Sequence, residues 1–342
     1  MKKLATIIGP YRYHNFGDDL IGVILVKYLR NSGYDAIIPS LSKENSQWLN
    51  IEYSDSAKKS IKKSDVIVIG GGGILGDSGI KPDNYYLKRA FKAGLYGFLK
   101  GKKVIVTGVG AGPLKMYSSR ILTVSLGMLA SKLGVRDIES KSFLLSLGIN
   151  KSKIILGSDI ALLWPDILDI KNVVGSKIGI QFDINSFVES DIDKYKYLKD
   201  MLSSYVNNNQ RKIALITNGN YSSQIYRTEW AAVNEYKYSS IPEFMEKFVN
   251  LKVILTSHLH LAIAAYAAKI PCFSIYLREK TKRFYKQIGH PERAISLYKC
   301  NKETLSKFLN QMEKVKWTSY DDKKLSDLKK SALKLVDFKA MV

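Results

Sequence analysis

The chain of 342 residues has two cysteines, four histidines and eight prolines, and only 31 acidic residues against 53 lysines and arginines. Each shortage excludes something. Cys272 and Cys300 cannot make a disulfide framework and lack the spacing of a metal site. Both lie in apolar, strand-like contexts, so buried reduced thiols and a cytoplasmic setting are expected. No uncharged apolar run reaches the roughly 18 residues of a membrane-spanning helix. The opening MKKLATIIGPYRYHNFGDDL has two lysines before an apolar run, as a signal peptide would. That run is short, acidic residues arrive by Asp18, and no small-residue cleavage site intervenes, so it reads as a first β-strand.

The scarcity of acid leaves a formal net charge of +22. The lysines are dispersed as KK and KxK pairs rather than massed in a tail. A nucleic-acid reading would need a recognition motif; none is present, and no nucleic-acid partner is expected. A solvated lysine-rich surface accounts for the charge, as does attraction to anionic membrane or anionic substrates.

What the chain does have is alternation. Apolar runs at residues 5–8, 36–38, 66–69, 104–107 and 154–156 take turns with helical spacing at 20–30, 85–99 and 121–133, and a further helix ends at Leu147. The strands are apolar throughout rather than every second residue, the pattern of a parallel sheet covered on both faces. Residues 164–175 break the rhythm and read as a linker. It then restarts, with strands at 177–182, 213–217, 251–256 and from Pro271, and helices at 192–206, 241–249 and 302–313. A helical stretch is expected up to Val233. The tail carries helical spacing through Leu325, Leu328, Leu333 and Val336. The fold class is therefore α/β: two Rossmann-like domains facing across a cleft, residues 1–170 and 171–342, the second carrying the C-terminal helix.

In parallel sheets, ligands bind beyond the strands' C-terminal ends, and the chemistry-bearing residues concentrate there. Asn15, Gly17, Asp18 and Asp19 follow the first strand, where Asp18 could cap a helix or meet sugar hydroxyls; Asp77 is similar. Gly70, Gly71, Gly72 and Gly73 follow another strand and would let backbone N–H groups approach a ligand. They are not a dinucleotide fingerprint, and GVGAGP from Gly108 has Pro113 where the last glycine belongs. Arg136-Asp137 ends a short strand, as a local ion pair or as a planar fork for carboxylate or phosphate. His258 and His260 follow the strand at 251–256. On a strand they would share a face; on a helix they would diverge. No further ligands stand at zinc spacing, so no metal is expected. No nucleophile elbow accompanies Ser257, which leaves acid–base work by imidazole. Lys280, among Arg278, Lys282 and Arg283, would supply positive charge beside them for an anionic substrate.

NFGDD at 15–19, the strand running into GGGG, VRD at 135–137, LGSDIALL from Leu156, TSHLHLAIAA from Thr256 and IPCFSIYLREKTKRFYKQIG from Ile270 together resemble the polysaccharide pyruvyl transferase family. The resemblance implies a GT-B-like pair of Rossmann-like domains. It also implies transfer of the pyruvyl unit of phosphoenolpyruvate to two hydroxyls of a sugar in a surface polysaccharide, exopolysaccharide or precursor. The product would be a cyclic ketal, with release of phosphate. In that family the usual pattern is Ser-x-Arg-Leu-His, and His260 stands at its histidine as the acid–base group. Arg136 and Lys280 match its anion-binding positions, so that Arg136, His258 and Lys280 would hold phosphoenolpyruvate. This chain departs at His258, which replaces the arginine with a weaker, pH-dependent cation. Asn15, Gly17, Asp18, Gly71, Gly72 and Gly73 would hold the acceptor. No cofactor is implied beyond phosphoenolpyruvate as co-substrate, and a lipid-linked acceptor would bring peripheral contact with the inner face of an anionic membrane. The alternatives are a nucleotide-sugar glycosyltransferase of the same architecture and a non-catalytic polyanion-binding protein.

Overall fold

The structure is a computed structural model that describes residues 2–76, 84–170, 175–182, 192–219 and 233–342. Asp77 and the helical stretch expected before Val233 lie outside the described residues. The chain forms two compact units, residues 1–167 with 327–342, and residues 168–326.

In the first unit, six parallel strands run β1 (Lys3–Ile8), β2 (Tyr34–Ile37), β3 (Val66–Gly70), β4 (Lys103–Val109), β5 (Lys132–Val135) and β6 (Ile154–Leu156), in the spatial order β2-β1-β3-β4-β5-β6. Helices α1 (Phe16–Asn31), α2 (Lys43–Trp48), α3 (Ala57–Lys63), α4 (Tyr85–Leu99), α5 (Tyr117–Leu129) and α6 (Ile138–Ser146) connect them. α1 starts four residues before its apolar spacing suggests, because the Asn15 side chain caps it by accepting from Gly17 N–H at 3.0 Å. α5 stops at Leu129, since Leu133 belongs to β5 and is wholly buried in the sheet. One core lies beneath α4, α5 and α6, where Leu87, Ala90, Leu126 and Leu144 meet Ile67, Ile69, Val104 and Val106.

The second unit repeats the scheme. Its strands are β7 (Lys177–Gln181), β8 (Ile213–Thr217), β9 (Asn234–Lys237), β10 (Leu251–Thr256), β11 (Cys272–Tyr276) and β12 (Ala294–Ser296), all parallel, in the order β12-β11-β10-β7-β8-β9. The helices are α7 (Ile192–Asn208), α8 (Ile241–Phe248), α9 (Leu259–Ala267), α10 (Glu279–Gln287), α11 (Lys302–Lys314) and the start of α12 (Ser319–Leu333), whose residues from Asp327 on belong to the first unit together with α13 (Phe338–Met341). β9 escaped the sequence reading because NEYK on a sheet edge is short and polar, with none of its four residues buried. Both cysteines are free and buried.

The tail differs from expectation. The sequence reading gave residues after Asp327 to the second domain, yet they pack with the first unit. α12 ends at Leu333, which is 43% exposed, and the chain then turns so that Leu335 and Val336 are buried instead. Leu335 fits against the strand-end residues Gly134 and Gly157, where a β-carbon would collide with it, and its carbonyl accepts from the Thr107 hydroxyl. The expected linker begins inside a packed segment, since Trp164 is fully buried in a 3-10 turn (Ile160–Asp166).

Candidate functional site

Each sheet reverses its direction of winding once, and a crevice beyond the strand ends at such a point is where open α/β sheets bind ligands. In the first unit the reversal falls between β1 and β3. The turn after β1 is the capped start of α1, and the turn after β3 is the glycine run. Gly71 and Gly72 have φ of +99° and +62°, which only glycine adopts without strain. A β-carbon on Gly72 would come 3.0 Å from an Asp18 carboxylate oxygen, so the absence of side chains there brings the two turns together. Nothing lies within 4 Å of the position a Gly73 β-carbon would take. Asn15, Gly17, Asp18 and the glycine run thus form one polar surface. Beneath it Asp19 is fully buried, 3.5 Å from His14 Nδ1 and bonded to Asn45. Tyr11 packs below, its hydroxyl 3.3 Å from the Gly70 carbonyl, and burial with the nearby Asp18 and Asp19 carboxylates holds its phenol well above the usual range.

Arg136 is on the same edge, after β5, and is 5% exposed. Its Nη1 lies 2.7 Å from Asp159 Oδ2, with Asp137 farther off at 4.0 Å from Nε. Asp137 caps α6 through Ser140 N–H at 2.7 Å. The local ion pair is therefore present, but its principal partner is Asp159 from the LGSDIALL stretch, not the sequence neighbour. An open fork awaiting an anion, the other expectation for Arg136, is not what this buried pair presents.

In the second unit the reversal falls between β7 and β10. β7 ends at Gln181, which pairs in register with Thr256 of β10. Gln181 Oε1 accepts from the Thr256 hydroxyl at 2.6 Å, and that hydroxyl oxygen accepts from His258 N–H at 2.9 Å. His258 is the N-cap residue of α9, but its ring does not cap the helix. It turns to the end of β8, with Nδ1 2.7 Å from Asn218 Nδ2. His260 sits in the first turn of α9 and is the one residue of that helix that is not buried. The two histidines thus flank a helix start and do not share a strand face. On the neighbouring strand, β11 leads to Arg278 as the N-cap of α10 with no side-chain cap bond, and Lys280 follows in the first turn. Two adjacent helix N-termini, each with a basic or imidazole side chain in its first turn, favour an anion at this edge.

Gln181, Asn218, Thr256 and Asp159 were not singled out by sequence reasoning. Each stands at or just beyond a strand's C-terminal end, which is the signal that could have found them. Gln181 Nε2 and Asn218 Oδ1 are buried with no hydrogen-bond partner among the described residues, an unusual cost to carry without a ligand to bond. Among the described residues no three His, Cys, Asp or Glu side chains gather as a metal would need.

Two parallel six-stranded α/β units, each with polar loops at its winding reversal, define a GT-B-like protein. Solved structures agree on the fold. A UDP-GlcNAc 2-epimerase from Methanocaldococcus jannaschii is 16% identical with a TM-score of 0.65, covering 99% of both chains. The Neisseria meningitidis UDP-GlcNAc 2-epimerase is 11% identical with a TM-score of 0.62, also over 99% of both. A glycosyltransferase from Rickettsia africae is 14% identical with a TM-score of 0.55, over 99% of this chain and 96% of its own. No curated protein matches the sequence. Residues 15–279 match the sequence profile of polysaccharide pyruvyl transferases, and the chain belongs to that family.

Proposed function

We propose that the protein transfers the pyruvyl group of phosphoenolpyruvate to two hydroxyls of one sugar in a polysaccharide or its precursor. The observation that carries this reading is His260, half-buried on an otherwise buried helix, one strand over from Lys280, in a chain of this family. His260 delivers a proton to the methylene carbon of phosphoenolpyruvate, leaving an oxocarbenium-like centre. One sugar hydroxyl attacks it and the C–O bond to phosphate breaks. The second hydroxyl then attacks the same carbon. Of the two hydroxyl protons, one is recovered in the new methyl group and the other leaves with phosphate. Lys280 and His258, with the helix N-termini behind them, stabilise the departing anion. The polar turns of the first unit hold the acceptor through Asn15, Asp18 and the glycine backbone. Arg136 is left out of the donor set, because Asp159 already takes its charge; the pair holds the loops around it.

Phosphoenolpyruvate with an acceptor glycan should yield inorganic phosphate and the mass increment of a pyruvate ketal, and His260→Ala should slow this about 10²–10⁴-fold. Unchanged turnover in His260→Ala would remove the acid–base assignment. The solved epimerases include one in complex with UDP-GlcNAc and UDP, which favours nucleotide-sugar chemistry as the second reading. Release of nucleoside diphosphate from a nucleotide sugar, without phosphoenolpyruvate, would establish it.

A further inference from the structure

Fourteen large apolar side chains are exposed among the described residues, and eight of them fall between Phe98 and Leu145. They are Phe98 and Leu99 at the end of α4, Met116, Tyr117, Ile121 and Met128 on and just before α5, and Ile138 and Leu145 on α6. The inner faces of these three helices share one core against the first sheet. Each connects neighbouring strands in the run β3-β4-β5-β6, so right-handed crossovers put all three on the same side. Their outward faces therefore make one layer. On α5, positions 117, 121 and 128 recur at helical spacing, and on α6 so do 138 and 145. Leu99, Tyr117 and Met128 are each more than 70% exposed. A monomer seldom leaves so much large apolar surface together without a partner for it.

The charge around these side chains says which partner. Between residues 84 and 153 there are thirteen lysines and arginines and two acidic residues, Asp137 and Glu139. Asp137 is buried. This fifth of the chain supplies +11 of the formal net +22. Exposed lysines 88, 92, 100, 115 and 151 lie on these helices or on the segments that flank them. Apolar side chains interleaved with cations, and almost no acid, are the composition of a surface that rests on anionic lipid headgroups and sinks its apolar groups between them. An acidic protein partner would want the cations but not Leu99, Tyr117, Ile121 and Met128 presented together. A self-associating face would have to bring its own lysines against lysines.

We infer that the outward face of α4, α5 and α6 docks the protein on an anionic bilayer surface. This stands apart from the pyruvyl-transfer reading, since none of these side chains belongs to the candidate site. The test is sedimentation of the full chain with phosphatidylcholine vesicles and with vesicles that also contain phosphatidylglycerol. Wild type should sediment with the anionic vesicles only. The triple variant Lys92→Gln, Lys100→Gln, Lys102→Gln should lose binding on the order of a hundredfold, from about fivefold per cation. Leu99→Ser, Tyr117→Ser, Met128→Ser should abolish the part of the binding that survives high salt, because burial of apolar groups is not screened. These side chains are exposed, so folding is retained and circular dichroism should match wild type. Equal binding to both vesicle types, or variants that bind like wild type, overturns the proposal. So does a dimer in sedimentation velocity that the serine variant dissociates, since a second copy would then cover the face.

Discussion

Asn218 shows what a single side chain contributes at the candidate site. An amide can donate from its nitrogen to a neutral imidazole, or after a half-turn accept through its oxygen from an imidazolium. At 2.7 Å from His258 Nδ1 it can serve both forms of the ring. A carboxylate can serve only the charged form well. On the proposed reaction, Asn218→Asp should raise the KM for phosphoenolpyruvate about tenfold, because a carboxylate at the donor edge repels the incoming anion, and steady-state assays of phosphate release would read the change directly. No change, or a fall, would mean that the donor does not bind beside Asn218. The histidines themselves were legible, because imidazole is rare in this chain and falls at strand ends. Asn218 and Gln181 were not, because an amide at a strand end looks like any turn residue until the sheet order brings β7, β8 and β10 side by side. Arg136 teaches the same lesson: its sequence neighbour Asp137 was the obvious partner, but the fold brought Asp159 closer.

At the scale of elements, most strands were legible from their apolar runs, and α4 matched its expected bounds residue for residue. What failed was short, polar or terminal. α2 and α3 drew no assignment, because KENSQW and AKKSIKK carry too few apolar residues to set a period. β9 has no apolar run. The tail kept its expected spacing at Leu325 but lost it at Leu333, and it had the wrong partner, because periodicity says that a face is buried and not against what. Leu335 is fully buried against Gly134 and Gly157. Leu335→Ala should cost about 2–5 kcal/mol by leaving a cavity there, measured as a lower midpoint in denaturant unfolding of the first unit. A loss below about 0.5 kcal/mol would show that the tail merely rests on the sheet ends.

At the scale of the whole molecule, charge and titration set the conditions the protein tolerates. The excess of lysine was plain in the composition; its gathering with exposed apolar side chains on one helix layer was not, because that depends on which residues the core leaves outside. Burial pushes the Cys272 thiol from its ordinary 9.0 up to about 12, and lifts the Tyr11 and Tyr285 phenols as well. A raised acid pKa keeps the folded state protonated where the unfolded chain has already lost its protons. Stability is then whole below pH 9 and falls as pH climbs from 9 towards 12. Thermal midpoints measured across that window should decline steadily, and Cys272 should resist alkylation at neutral pH until the protein unfolds. Rapid labelling of the native protein would contradict the burial of its sulfur.

The return of the tail to the first unit also bears on how the chain is assembled during synthesis. The Thr107 hydroxyl finds its acceptor 228 positions further along the chain, on a segment made only after the second unit. Until then the strand ends at Gly134 and Gly157 lack the side chain that fills them. A growing polypeptide folds largely domain by domain as it emerges, and here the second unit can close first while its elder neighbour stays open. The first unit is the first to be made and the last to be finished.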